Sequence, residues 1–180
     1  NENHYVEIVS TSMGAPPIPT KYKDNPRTFI DIIIDEMIPK VSERKLAKFC
    51  DVFCEKGVFS VEDSKEILEA GIRYGLLPKV HADEIEPMGG AELAAEVGCI
   101  TADHLVAASE IGIKMMAEKG VIANLLPGTS FNLQTGKFAR AKSMIEAGVP
   151  VALSTDYNPG SCPTENMQLV MSLASIVMKM

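Results

Sequence analysis

Two of the three histidines, His81 and His104, stand beside carboxylates at the ends of short apolar runs. His81 opens His81-Ala82-Asp83-Glu84, and His104 follows Asp103. A third acidic position, Asp156, ends the run 149–155 and is followed by Tyr157, Asn158, Pro159, Gly160 and Ser161. Taken singly, each has an ordinary structural use: a hydrogen-bonded histidine at a strand end, an aspartate in a turn, a solvated loop glutamate. Taken together, two imidazoles and a carboxylate are the inventory of a metal site or an acid–base site. Such ligands suit zinc or iron, and a hydrolytic metal keeps one position for a water whose pKa falls toward neutrality. Glu84, three residues past His81, reaches the same place if the chain turns after the strand. Pro163 suits a helix's first turn, and free N–H groups there, with Asn158, Gly160 and Ser161 just before, would receive a substrate carboxylate.

Positioning these groups requires a scaffold, and the sequence lays one out. Apolar runs at 5–13, 50–54, 79–81, 100–105, 121–126 and 149–155 read as strands. Between and after them, 27–40, 60–74, 90–97, 109–119, 139–147 and 164–178 read as helices. Ser60-Val61-Glu62-Asp63 matches a capping box, and Gly75, Gly120 and Gly148 follow helix ends. Strand then helix, six times over, demands parallel strands with right-handed crossovers. An open doubly wound sheet and part of an eight-stranded barrel both fit. Either way His81, His104 and Asp156 fall at the C-terminal ends of strands, the active face of α/β folds. No glycine-rich phosphate loop follows a strand, which argues against nucleotide-binding versions of the open sheet. The chain starts in a strand and stops in an apolar helix, so a partial barrel is expected, spanning 1–180 as one domain.

Lys plus Arg number 17 against 24 Asp plus Glu, the wrong balance for a protein that neutralises phosphates, so no nucleic-acid partner is expected. No apolar run is long enough for a bilayer, and no secretory leader is legible, so no membrane partner is expected. Four cysteines without a Cys-x-x-Cys pair read as buried thiols of a cytoplasmic protein.

Several segments resemble imidazolonepropionase, of the amidohydrolase superfamily. They are Cys50-Asp51-Val52-Phe53-Cys54-Glu55-Lys56-Gly57-Val58-Phe59, Val80-His81-Ala82-Asp83-Glu84, Gly89-Gly90-Ala91-Glu92-Leu93-Ala94-Ala95, Ala102-Asp103-His104-Leu105, Leu126-Pro127-Gly128-Thr129 and the run from Ser154 to Glu165. The resemblance implies a (β/α)8 TIM barrel of which about six units are present, strands three to eight. It implies hydrolysis of the ring of 4-imidazolone-5-propanoate to N-formimidoyl-L-glutamate in histidine degradation. By position, His81 and Asp156 would be metal ligands, with Asp156 also handling the nucleophile's proton. His104 would be a catalytic histidine, and Glu84 a substrate contact and proton carrier. Asn158, Gly160 and Ser161 would contact the substrate and its propanoate tail. The implied cofactor is one zinc or iron ion, and the implied assembly a homodimer.

Two departures stand out. The His-x-His pair of the family's first strand is absent from these residues, as expected if the chain begins at the third strand. Pro16 stands where the family has a substrate-contacting histidine, and proline offers no imidazole. The chain alone is therefore expected to show little activity and weak metal binding. Two other readings fit the same residues. One is another cyclic-amide hydrolase or deaminase of the superfamily; the other is a non-catalytic α/β module that holds an acidic metabolite at its rim.

Overall fold

A computed structural model describes residues 5–14 and 18–180. Six parallel strands lie side by side in chain order: β1 (Thr11–Met13), β2 (Phe49–Cys54), β3 (Leu77–Ala82), β4 (Thr101–His104), β5 (Ile122–Leu125) and β6 (Val151–Leu153). A doubly wound sheet reverses its strand order at a switch point. Here each strand pairs with the next in sequence, the order of a (β/α)8 barrel, so the open-sheet alternative is set aside and the chain is a partial TIM barrel. Among the described residues, β1 and β6 end the sheet.

The crossovers are helical. Between β1 and β2 run α1 (Pro26–Ile32) and α2 (Ile38–Glu43), joined by a π-helical stretch, Ile33–Met37. The periodicity predicts one uninterrupted helix over 27–40; the departure has a cause in Pro39, which has no N–H to donate to the preceding turn. Next come α3 (Val61–Arg73), α4 (Gly90–Val97) and α5 (Glu110–Lys119). Ser60 caps α3 as its capping box predicts, accepting from the Asp63 N–H at 3.1 Å. Then α6 (Pro127–Asn132) and α7 (Ala141–Glu146) lie between β5 and β6, and α8 (Met167–Ile176) follows β6. Helix α6 occupies a stretch that reads only as a Pro-Gly turn. The first strand is shorter than its apolar pattern, because residues 5–10 lie outside β1 and are exposed.

The two faces of the sheet differ in chemistry. Cys50, Val52, Cys54, Val80, Ala82, Ala102, Ala123 and Leu125 form the buried core with the helices. A Cβ on Gly71 of α3 would meet Cys50 at 2.8 Å, and one on Gly90 would meet Ala82 at 2.8 Å, which fixes that face as the helix-facing one. Side chains alternate along a strand, so Asp51, Phe53, Lys79, His81, Thr101, Asp103 and Asn124 turn to the opposite, barrel-lining face. The register aligns Phe53, His81, Asp103 and Asn124 across four strands. All four cysteines are free and buried. No helix of the described residues is long and apolar enough to cross a membrane.

Candidate metal centre and active site

His81 is the fifth residue of β3 and belongs to the barrel-lining row. Its Nδ1 lies 3.1 Å from Asp51 Oδ1, and Phe53 stands edge-on with ring centroids 5.7 Å apart. Burial alone would depress the His81 pKa; the hydrogen bond and charge of Asp51, with the charges of Asp103 and Asp156, outweigh it and leave it raised.

His104 reaches the same place by a different route. Strict alternation after Asp103 would turn it toward the helices. The backbone at His104 and Leu105 instead adopts positive φ, 73° and 59°, and the imidazole comes to 5.2 Å from the His81 ring, centroid to centroid. Left-handed backbone at a non-glycine residue costs about 1–3 kcal/mol and marks functional sites. Burial, assisted by the His81 charge, drives the His104 pKa down to about 3. Its Nε2 lies 3.6 Å from Glu84 Oε2, but a neutral imidazole makes no ion pair there.

Asp156 follows β6, also with positive φ, 54°. Thr129 of α6 donates its hydroxyl to Asp156 Oδ2 at 2.7 Å. The unexpected helix α6 thus positions a carboxylate of the site. The possible ligand atoms of His81, His104 and Asp156 all lie within 4.8 Å of one another. Zinc bonds of about 2.0–2.2 Å put neighbouring donors roughly 3–4 Å apart. An imidazole and a carboxylate brought this close, His81 and Asp156, fit a metal as donors, with the second imidazole, His104, beside them.

Glu84 shares the cavity with these three. Burial foremost, then Asp156 and Glu55, lift its pKa to about 7, against an opposing effect of His81. The turn that presents Glu84 is built by its neighbour. Asp83, buried and at φ 50°, accepts from the N–H groups of Met88, Gly89 and Gly90 through Oδ1 and from Ala91 through Oδ2, at 2.8–3.0 Å. These are free donors at the start of α4. Gly90 allows that helix start to sit against Ala82.

The loop after Asp156 is closed by Asn158. Its Oδ1 accepts from the Gly160 and Ser161 N–H groups, each at 2.8 Å, and its Nδ2 donates to Asp156 O and Ser161 Oγ, each at 2.8 Å. Asn158 and Ser161 line the cavity, while Gly160 is exposed. The Gly160 and Ser161 N–H groups are therefore already engaged. The expectation of a helix start at Pro163 is corrected: α8 begins at Met167, where Asn166 accepts from the Leu169 N–H at 3.0 Å. Between them the chain is still loop, with Thr164 Oγ1 accepting from the Asn166 N–H at 3.3 Å, and the Asn166 cap sets the helix start. Pro16 lies outside the described residues.

The resulting cavity has a volume of about 460 Å³ and is lined by Met13, Phe53, His81, Glu84, Ile85, His104, Asp156, Asn158 and Ser161. That size suits a small metabolite. Asp51 and Thr129 hold site residues in place, yet neither stands out in the sequence reading. Asp51 is an acid inside the otherwise apolar run Phe49–Cys54; Thr129 is marked only as the end of the resembling segment Leu126-Pro127-Gly128-Thr129, which carries no role for it.

Parallel strands in sequential order, helices outside, and histidine, histidine and aspartate at the C-terminal mouth define a segment of an amidohydrolase-type barrel. Comparison with solved structures agrees at the level of fold. Over 94% of this chain and 46% of its own, 5-methylcytosine deaminase from Klebsiella pneumoniae superposes with a TM-score of 0.69 at 15% identity. A zinc-bound adenosine deaminase from Xanthomonas campestris gives 0.62 at 16% identity, covering 79% of this chain and 36% of that one. No family model matches the sequence. Imidazolonepropionase of Alkaliphilus oremlandii is 62% identical over 97% of this chain and 42% of its own length. That of Alkaliphilus metalliredigens is 61% identical over 100% of this chain and 43% of its own. Along nearly its whole length the chain is similar to imidazolonepropionases, and it spans less than half the length of the curated relatives it matches.

Proposed function

We propose that these residues form strands three to eight of an imidazolonepropionase barrel. The reaction is hydrolysis of the ring of 4-imidazolone-5-propanoate to N-formimidoyl-L-glutamate. The carrying observation is the convergence of His81, His104 and Asp156 within 4.8 Å at the mouth of a cavity that also holds Glu84. His81 and Asp156 would hold a zinc or iron ion. When bound, that ion supplies Lewis acidity toward the ring carbonyl and a water acidified toward neutrality.

The protein's own groups handle binding and protons. Asp156 accepts the proton of the attacking water, held in orientation by the Thr129 hydroxyl at its other face. Glu84, with a pKa near 7, can both hold and release a proton at neutral pH, as an acid for the leaving ring nitrogen must. His104 is kept neutral by burial, so it can donate its one N–H to the oxyanion without adding a positive charge beside the metal. Asn158 and Ser161 line the cavity; with the Asn158 amide engaged in the loop, Ser161 is the group placed to meet the propanoate tail, and Asn158 holds it there. Gly160 would act by letting the loop turn beneath them. A cytoplasmic homodimer completes the reading.

The test is loss of the imidazolone chromophore in the native-length protein, with metal content measured on the same sample. Turnover with stoichiometric zinc or iron supports the proposal. Turnover of dihydroorotate or cytosine in its place would reassign the site to another cyclic-amide hydrolase or deaminase. Absence of both turnover and bound metal would leave a binding module.

A further inference from the structure

Below the rim, the barrel-lining face carries a second group of ionisable side chains: Asp51, Lys79, His81 and Asp103. Asp103 is the cross-strand neighbour of His81, whereas Asp51 sits one strand over and two residues deeper. Proximity along the register would favour Asp103 as the partner of the imidazole. The structure pairs them otherwise. Lys79 Nζ stands 3.6 Å from Asp103 Oδ2, and Asp103 Oδ1 is buried without a hydrogen-bond partner. Asp51, 3% exposed, directs Oδ1 to His81 Nδ1 at 3.1 Å. With Nδ1 engaged from below and Phe53 against the ring edge, Nε2 is the nitrogen left to serve the cavity.

We propose that Asp51 is the positioning residue of the metal centre: by accepting the Nδ1 proton of His81 it fixes the imidazole's tautomer and tilt so that the Nε2 lone pair faces the ion. A carboxylate behind a ligating histidine raises ligand basicity and removes rotational freedom, and losing such a partner typically costs about 10–100-fold in metal affinity. The Lys79–Asp103 pair keeps the neighbouring carboxylate occupied, so that Asp51 and not Asp103 meets the imidazole. This inference rests on the proposed metal-dependent reading.

The test compares Asp51→Ala and Asp51→Asn with Cys50→Ala in the native-length protein. Cys50 lies on the same strand but faces α3, so it reports any merely structural loss. Zinc affinity is measured by competition with a chromophoric chelator, and the His81 ring protons by nitrogen-edited NMR of the zinc-loaded protein. Asp51→Ala is expected to lower zinc affinity about 10–100-fold and to speed exchange of the His81 Nδ1 proton. Asp51→Asn, which keeps an oxygen acceptor, should recover part of both, and Cys50→Ala should change neither. Zinc bound at His81 with equal affinity in wild type and in both Asp51 variants would overturn the inference and leave the metal reading intact. An affinity loss in Cys50→Ala as large as in Asp51→Ala would overturn it too. Zinc that binds wild type without moving the His81 resonances would instead defeat the metal reading, and this inference with it.

Discussion

The two faces of one sheet carry different burdens. Toward the helices, β2, β3, β4 and β5 present small and aliphatic side chains, Cys50, Val52, Val80, Ala82, Ala102 and Leu125, all at most 3% exposed. Toward the barrel axis the same strands present Asp51, Lys79, His81 and Asp103. The first face gains stability by removing apolar surface from water, at about 25 cal/mol per Å². The second gives some of that up, since each buried polar group costs free energy unless it is paired. The lesson is a division of labour within single strands: alternate residues fold the barrel and equip it. Mutations on the two faces should therefore fail in different assays.

The largest expected effect is on the equipped face. If the proposed hydrolysis is right, Asp156→Asn should cut turnover of the native-length protein by about 10²–10⁴-fold, the usual contribution of a general base, with thermal unfolding little changed. A variant that turns over normally would remove Asp156 from the proton path. Next comes the folding face. Leu68 of α3 is fully buried, and Leu68→Ala should cost about 2–5 kcal/mol by denaturant unfolding, while zinc affinity of the folded fraction stays within twofold. A large loss of affinity there would blur the division between faces.

A smaller effect is pH-dependent. The folded-state pKa of Glu84 is raised to about 7, chiefly by burial. A raised acid contributes stability that is complete below its unfolded pKa, near 4.5, and is lost as pH climbs through 7. In metal-free protein, Glu84→Gln should therefore be more stable than wild type at pH 8 by about 1 kcal/mol after allowance for solvent screening, and the gap should close by pH 5. A gap that widens toward acid would have the sign wrong. The smallest effect concerns the thiols. Burial pushes Cys50 and Cys99 up to about 12 and Cys54 up to about 11. Iodoacetamide at pH 8 should leave all three unmodified by mass spectrometry until the protein unfolds.

Much of the helix-facing half was legible in sequence, because its signal is periodic. Alternation marks β2 through Cys50, Val52 and Cys54, and a 3.6-residue period marks α3 through Ile67 and Leu68. Residue type and place at strand ends marked the rim residues His81, His104, Asp156 and Glu84, and the resemblance to a known family supplied their individual roles. What alternation alone could not give was how His104 reaches the cavity. Its neighbour Asp103 already occupies the barrel-lining position, and the turn of backbone to φ 73° that brings His104 round is not written in a glycine. Asp83 read as a rim carboxylate, yet its oxygens are consumed by the start of α4. Such a role depends on where a loop folds back, several residues away. Thr129 escaped notice because Pro127-Gly128 signals a turn, and a proline at the first helical position followed by glycine also opens a short helix.

The central claim is that His81 and Asp156 share one metal ion beside His104. Anomalous diffraction at the zinc edge, from crystals of the native-length protein, tests it most directly. The expected result is a single strong peak within bonding distance of a His81 ring nitrogen and an Asp156 carboxylate oxygen, with the His104 imidazole next to it. A zinc peak elsewhere in the molecule, with His81 and Asp156 left uncoordinated, would contradict it.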